Sequence, residues 1–403
     1  MIIEFIFALL SGILVGTIAG LLPGIHVNLI SVFLLSILAF FLNFLQPIIL
    51  AVFIVAMTIS DTFVSFIPSI FLGAPDEDSV LSVLPGHELL LKGKGYEAII
   101  LTLYGSILGI LIILLLTPLF LLLLPKIFFY LKFVMLFILL FASIYLIAKE
   151  KSSKLIAIIV FLLSGFLGLS TLNLNINQSL LPLLTGLFGS SSLITSIIKK
   201  EKIPEQEIFK LKKIKIKIKE IKNAGIAAIL SAPLCSFLPA LGSGQAAVIG
   251  SDIVQEIKRR EFLILLGSIN TIVAGLSFIA LYSIQKARTG TAVAIQKILE
   301  NFSFNNLIII LLTIIFSAIF AFFLTIFLAK FFSRKISKLN YKYLSIFILI
   351  FLAIVVIFFS GFLGFLIFIT ATFTGLIAIL SGVRRTHLMG SLMLTSILLY
   401  LPF

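Results

Sequence analysis

Long runs of apolar residues, interrupted only by short polar stretches, constrain how this 403-residue chain can fold. Hydrophobic residues make up 61% of the sequence and charged residues 11%, whereas soluble domains are about half apolar and about a quarter charged. At about 20 residues per span, the chain has room for roughly 9 to 12 membrane segments. The sequence therefore predicts an all-α polytopic membrane protein.

Basic residues are concentrated between the apolar runs. The stretch 199–222 holds 10 Lys and 4 Glu, and so carries +6 of the formal net charge of +14. Short basic loops of membrane proteins face the cytoplasm. We therefore interpret this stretch as the cytoplasmic linker of a multi-pass protein of the cytoplasmic membrane, and the charge pattern excludes a nucleic-acid-binding protein.

Five short sequence matches recur in the same order on both sides of this linker. They pair Ala19–His26 with Cys235–Gly242, Asp61–Val64 with Asn270–Val273, Ser164–Gly168 with Ser360–Gly364, Thr185–Leu187 with Thr374–Leu376, and Thr195–Ile197 with Thr395–Ile397. The order predicts two repeated halves of about 200 residues, 1–198 and 223–403, joined by the linker 199–222. An inverted relation between the halves is favoured over a parallel one.

Proline and glycine interrupt the apolar runs at matching places in the two halves, around Pro23 and Pro239, and also near Pro182 and Gly382. A broken helix inside a membrane leaves backbone N–H and C=O groups that need protein, water or ligand as partners, and paired breaks of this kind indicate a transport site. The predicted substrate-binding residues are Pro23, Gly24, His26, Asn28, Pro239, Gly242, Ser243, Gly244 and Gln245. The alternative is that these residues only allow close helix packing.

A carboxylate inside an apolar run is costly and is usually kept for a function. Asp61 lies inside the run 47–72, and its repeat counterpart is the neutral Asn270, which Thr271 follows. We predict that these three residues take part in ion coupling, with Asp61 exchanging a proton or, together with Thr62, binding Na⁺. An Asp that only caps a helix is the structural alternative.

The prolines, glycines and acidic triplet of the segment 71–95 predict a structured loop. Its candidate residues are Pro75, Asp76, Asp78, Ser79, Pro85, Gly86 and His87. They could bind a cation, relay a proton or form a solvated loop tip. Near the C-terminal end of the sequence, Arg384, Arg385 and His387 are either anion ligands or signals of membrane topology.

Three stretches of the chain resemble a known family. They are the Pro-Gly of the first break, the Gly-Ala-Pro-x-x-x-Ser-Val, Leu-Pro-Gly-His and Lys-Gly-Lys-Gly elements of 73–95, and the Gly/Ser-rich stretch 239–251. Together they are similar to the TctA-type large permease of tripartite tricarboxylate transporters. The short chain is similar to a compact, archaeal-like version of that family. The resemblance implies secondary transport of a carboxylate anion by alternating access, coupled to H⁺ or Na⁺. It also implies a small membrane subunit and an extracytoplasmic binding protein as partners, and a substrate site formed by Pro23 to Asn28 and Pro239 to Gln245.

Two functions compete at this stage. The first is a carrier for a small carboxylate, and the second is a translocase for an anionic lipid phosphate, such as an isoprenoid-phosphate carrier, bound at half-helix N-termini. An intramembrane enzyme is disfavoured, because the three histidines and the single cysteine show no spacing suited to a nucleophile and base or to a metal centre. We therefore expect no cofactor and no resident metal, only a coupling ion.

Overall fold

A computed structural model describes residues 2–22, 27–36, 44–72, 83–150, 152–174, 176–198, 203–209, 214, 216–237, 243–254, 257–287, 289–299, 301–337 and 341–400. All regular secondary structure in these residues is helical, and eight helical segments are long and apolar enough to cross a membrane. The prediction of an all-α polytopic membrane protein is confirmed.

The helices of the first half end before the basic linker. They are α1 (Ile2–Leu21), α2 (Val27–Ser36), α3 (Pro47–Val64), α4 (Phe66–Leu72), α5 (Val83–Leu91), α6 (Gly95–Ala148), α7 (Lys154–Asn173), α8 (Leu180–Leu184), a π-helix (Thr185–Ser190) and α9 (Ser191–Ile198). The two apolar runs 98–124 and 127–148 form the single helix α6. Pro182 does not break its segment, because it lies in the first turn of α8, where a missing N–H costs no hydrogen bond.

The helices of the second half follow in a corresponding order. They are α10 (Ile218–Phe237), α11 (Ser243–Val254), α12 (Arg259–Ile284), α13 (Gly290–Ile298), α14 (Phe304–Ile336), α15 (Tyr341–Leu380), a 3₁₀-helix (Arg385–Met389) and α16 (Gly390–Leu399). In each half a helix and a short helix precede a long buried segment, α3–α4 or α12, and another short helix then leads into a long one. The first helix of the second half begins inside the predicted linker.

The segments α3–α4 and α12 run in opposite directions. A Cβ on Gly95, at the start of α6, would lie 3.0 Å from the ring of Phe71 near the end of α4. Glu97 in the first turn of α6 forms an ion pair with Arg260 in the first turn of α12. Helix α12 therefore begins at the face where α3–α4, the segment that it matches in sequence, ends.

Helices are exchanged between the halves. Helix α6 packs along α12, and α14 packs against α3. At the first of these contacts the backbones touch, because a Cβ on Gly105 would lie 2.0 Å from the carbonyl oxygen of Ile264 and one on Gly267 would lie 2.1 Å from that of Thr102. Small residues of this kind let membrane helices approach closely, so the centre of the molecule is shared by both halves.

Residues 203–209 of the linker are docked on the first half. The Oε1 of Gln206 accepts a hydrogen bond from the Gly95 amide at 2.8 Å, and its Nε2 donates to the Leu90 carbonyl at 3.1 Å. This contact satisfies a free N–H at the start of α6. The linker therefore lies at the face where α6 and α12 begin.

Candidate functional site

The first predicted break follows α1, which runs parallel to α3. A Cβ on Gly16 would lie 2.1 Å from the carbonyl oxygen of Met57, and one on Gly20 would lie 3.0 Å from Oδ1 of Asp61. The predicted residues Pro23, Gly24 and His26 lie outside the described residues. The last turn of α1 thus brings the break to the level of the predicted coupling carboxylate.

Asp61 lies deep in the membrane-length segment Pro47–Leu72, about 21 Å along the helix from Pro47. It is buried, with 6% of its surface exposed. The segment is interrupted just beyond it, at Ser65, where α3 gives way to α4. Pro68 lacks an N–H and so cannot donate to the carbonyl of Val64, which is a usual cause of a kink.

Thr62 is the other oxygen donor predicted for a Na⁺ ion at this level. Its Oγ1 donates to the Ile59 carbonyl at 2.8 Å within α3, which leaves the oxygen lone pairs of the hydroxyl. Among the described residues, no three His, Cys, Asp or Glu side chains are grouped so as to hold a metal ion. Asp61 is therefore the carboxylate at this level around which a coupling site would be built.

Asn28 connects the first break with the second half. Its Oδ1 accepts a hydrogen bond from the Thr291 amide at 3.2 Å. Thr289 is the N-cap of α13, and its hydroxyl accepts from the Ala292 amide at 3.2 Å. Gly290 permits the approach, because a Cβ there would lie 2.9 Å from the Cβ of Asn28. The N-termini of α2 and α13 therefore meet at Asn28.

Three helices near Asn28 pack against the same helix. Helices α1, α2 and α13 all pack against α3, which carries Asp61. The hydroxyl of Thr289 also donates to Ser277 of α12 at 3.3 Å. Helix N-termini carry free N–H groups and partial positive charge. The N-termini of α2 and α13 therefore bring positive potential close to α3, the helix that holds the buried Asp61. Sequence analysis did not identify Thr289 or Thr291.

The helices before and after the second predicted break, α10 and α11, pack against each other. A Cβ on Gly250 of α11 would lie 2.9 Å from the Ala227 carbonyl oxygen and 2.7 Å from Oγ of Ser231, both in α10. The start of α10 lies at the face where α12 begins, since Oε1 of Glu220 in α10 is 3.5 Å from Nε of Arg260.

The described residues of the second break open α11. Ser243 and Gly244 are both buried there. Pro239, Gly242 and the side chain of Gln245 lie outside the described part of the structure. Helix α11 therefore begins after the second break as α2 begins after the first.

Asn270 and Thr271 lie in α12, which is helical without interruption. Thr271 is fully buried, its Oγ1 donates to the Gly267 carbonyl at 3.0 Å, and its Cβ would lie 3.1 Å from a Cβ on Gly109 of α6. Thr271 thus packs at the contact between α6 and α12, and no described contact brings it to Asp61. Asn270 is buried one residue before it.

The predicted loop motif of 73–95 is only partly described. Pro75, Asp76, Asp78 and Ser79 lie outside the described residues. Pro85, Gly86 and His87 belong to α5, and a Cβ on Gly86 would lie 2.6 Å from the side chain of Ile70. Ile70 is about 14 Å along the helix from Asp61, so these three residues lie toward the linker face rather than beside the first break.

A buried Glu–His pair joins the two halves elsewhere in the fold. The Oε2 of Glu150 accepts from Nε2 of His387 at 2.8 Å and from the Arg384 amide at 3.0 Å. Burial alone would raise the pKa of Glu150, but hydrogen bonds from the amides of Ser152 and Arg384 and from His387 hold it at about 2. Burial lowers the pKa of His387, and Glu150 opposes this only in part.

Comparison with known proteins gives one family and one relative. A family model described as the tripartite tricarboxylate transporter TctA family matches residues 6–390. An uncharacterized protein of Methanocaldococcus jannaschii is 34% identical over 408 residues, which cover 98% of this chain and 98% of that protein. No solved structure matches the chain.

Proposed function

The chain belongs to the tripartite tricarboxylate transporter TctA family, and we propose that it is the permease through which a small carboxylate anion crosses the cytoplasmic membrane. One observation carries this proposal. The N-termini of α2 and α13 meet at Asn28, and both helices pack against the helix that holds the buried Asp61.

A carboxylate fits this arrangement for electrostatic reasons. Free backbone N–H groups and the helix dipole favour an anion at a helix N-terminus without any lysine. In the structure the amide oxygen of Asn28 accepts from the Thr291 N–H. A substrate carboxylate oxygen has the same acceptor chemistry with a full negative charge, and charge-assisted hydrogen bonds are roughly twice as strong as neutral ones. In the proposal, substrate therefore competes with Asn28 for this donor.

Asp61 is the proposed coupling residue. A carboxylate that is 6% exposed inside a membrane-length segment is costly there and is usually kept for a function. Binding of H⁺ or Na⁺ there would lower the negative charge near the end of α1 and so favour entry of an anion. The opposite directions of α3–α4 and α12 support alternating access, because two opposed copies can open a shared site to either side.

The proposal extends to the side of the membrane and to partners. The excess of lysine in the linker 199–222 favours a cytoplasmic position, which would put the starts of α6 and α12 on the same side. The family description supports a tripartite assembly, with a small membrane subunit and an extracytoplasmic binding protein. Translocation of a lipid phosphate is not favoured by the family.

The test is uptake of labelled di- and tricarboxylates into proteoliposomes, with Asn28 substituted in two ways. Asn28→Asp keeps an acceptor for the α13 N-terminus, where Asp is as good as Asn, but adds a negative charge. We expect an unchanged melting temperature and a KM raised at least about tenfold, the equivalent of 1.4 kcal/mol. The matched control is Ser303→Asp, at the N-cap of α14, which should not alter uptake.

Coupling is tested separately in the same vesicles. Asp61→Asn should retain exchange of internal for external substrate but lose accumulation driven by a proton or sodium gradient. Glu88→Gln, which removes a carboxylate from the ion pair with Arg259, is the control and should accumulate substrate normally. Gradient-driven accumulation by Asp61→Asn at the wild-type level would refute the coupling assignment, and an unchanged KM in Asn28→Asp would refute the substrate site.

A further inference from the structure

Arg385 is a buried cation that the proposed transport cycle does not use. It is 8% exposed and lies at the start of the 3₁₀-helix, where the last segment of the second half meets the last segment of the first. Its Nη1 donates to Oγ of Ser192 at 2.6 Å, and its Nη2 donates to the carbonyl of Phe188. A residue this buried is not a topology signal of the kind that the sequence suggested.

The charge of Arg385 is not balanced by a carboxylate of the described residues. Its described partners are the hydroxyls of Ser191 and Ser192, one carbonyl, and the ring of Phe188 at 5.4 Å from the guanidinium carbon. Glu150, the acidic group of this region, is bonded to His387 and to the Arg384 amide. Burial lowers the pKa of Arg385 only to about 10, so the group stays charged at neutral pH. Buried charges are normally paired.

Donor capacity also remains at this position. Arginine has five N–H donors, and Nε of Arg385 is buried without a partner among the described residues. The hydroxyl of the adjacent Thr386 is likewise buried and without a described partner. Buried polar groups without partners are few in native proteins, and each calls for an explanation.

The surroundings of Arg385 favour a ligand that reaches it from the end of the bundle. Phe188 and Thr185 belong to a π-helix, a rare element that often marks functional positions. Ser192 is only half-buried and is about 9 Å along the helix from Ile198, after which the lysines of the linker begin. The guanidinium therefore lies close to the level where lipid headgroups and soluble anions are present.

We propose that the Arg385 guanidinium, held by Ser192 and the π-helix, binds an oxyanion, a phosphate or carboxylate group carried by a lipid headgroup or by a small soluble anion. Arginine suits this role because its planar fork matches both groups and is weakly hydrated. The site is separate from the first break, so it holds an anion whether or not Asn28 and Asp61 serve transport.

The experiment is titration of the purified full-length protein, followed by its thermal stability, which rises when a ligand binds the folded state. One arm compares inorganic phosphate with chloride at equal ionic strength. The other compares mixed micelles containing phosphatidylglycerol with micelles containing phosphatidylcholine. A response to phosphate identifies a small-anion site, and a response to phosphatidylglycerol alone identifies a lipid headgroup site.

The variants assign the response to Arg385. Arg385→Gln should weaken binding at least about tenfold, since a hydrogen bond to a charged group contributes about 1.5–3 kcal/mol. Arg385→Lys keeps the charge without the fork, and it should weaken binding about threefold or more. Arg259→Gln, at an exposed ion pair, should bind as wild type does.

Two results would overturn the proposal. One is a wild-type protein that responds to neither phosphate nor phosphatidylglycerol. The other is wild-type affinity in Arg385→Gln, which would mean that Arg385 only supports the π-helix. If Arg385→Gln does not yield folded protein, Arg385→Lys decides, and unchanged affinity in that variant counts against the site.

Discussion

Substituting Gly105 by alanine should lower the stability of the contact between α6 and α12. The new Cβ would lie 2.0 Å from the carbonyl oxygen of Ile264, whereas real contacts exceed 3.0 Å, so the helices must separate by about 1 Å. Overpacking of this kind costs about 1–3 kcal/mol. Separation also weakens the bond from Ser268 Oγ to the Gly105 carbonyl, 2.9 Å long and worth about 0.6 kcal/mol in a membrane.

Alanine has a better helix propensity than glycine by about 1 kcal/mol, which offsets part of that cost. The net loss for Gly105→Ala is about 1.6 kcal/mol at the middle of that range, or about 2 °C in melting temperature for a chain of this length. The assay is thermal unfolding in detergent, followed by circular dichroism at 222 nm. Gly267→Ala, whose Cβ would lie 2.1 Å from the Thr102 oxygen, should behave in the same way.

The matched control is Gly225→Ala in α10. There the new Cβ would lie 3.5 Å from the side chain of Leu108, an ordinary contact, so only the gain in helix propensity remains and the melting temperature should stay equal or rise slightly. If Gly105→Ala melts no lower than Gly225→Ala, the reasoning that backbone contact at this crossing limits side-chain size is wrong.

Three further predictions concern the polar groups. Arg260→Ala should destabilise the fold by about 3 kcal/mol in thermal unfolding, because it leaves the buried Glu97 unpaired. The control is Arg259→Ala, which breaks an exposed ion pair and should cost less than about 1 kcal/mol. Burial lowers the pKa of His387 below 6.5. As the pH falls, His387 therefore binds a proton in the unfolded chain before it does so in the folded protein, which favours unfolding, and the melting temperature should drop between about pH 7 and about pH 5. His387→Gln should show a shallower drop, and Glu150, whose pKa falls from 4.5 to about 2, should add a loss only below about pH 4.5. Gln206→Ala should speed tryptic cleavage of the linker about fivefold, since two hydrogen bonds that dock it are lost; unchanged cleavage would show that the docking does not protect the linker.

The membrane class and the helix order could be predicted from the sequence, because apolar runs of membrane length and matching Pro/Gly breaks are local signals. The depth of Asp61 followed in the same way from its position inside one run. The partner of Asn28 could not be predicted, since the bond to Thr291 joins residues 263 positions apart, and no local pattern records which distant helix end approaches.

The positions of two predicted residues have a physical explanation. Thr271 follows a residue that matches Asp61, yet its side chain packs on α6, because successive helical residues point about 100° apart. Pro182 suggested a break but lies in a first helical turn, where proline is tolerated. The sequence leaves Arg385 open between an anion ligand and a topology signal, because sequence alone does not show that Arg385 is buried against the π-helix.

The exchange of helices between the halves also sets the order in which the protein can be completed. Gly105 and Ser268, which touch in the finished molecule, are 163 residues apart, and a ribosome adds about 5–20 residues per second. During synthesis, α12 therefore becomes available to α6 roughly 8 to 33 s after Gly105 has been made. Until then, the face of α6 that carries Gly105 contacts lipid or the insertion machinery. A first half made without the second would leave this face without its partner, since Ser268 and the rest of α12 lie in the second half.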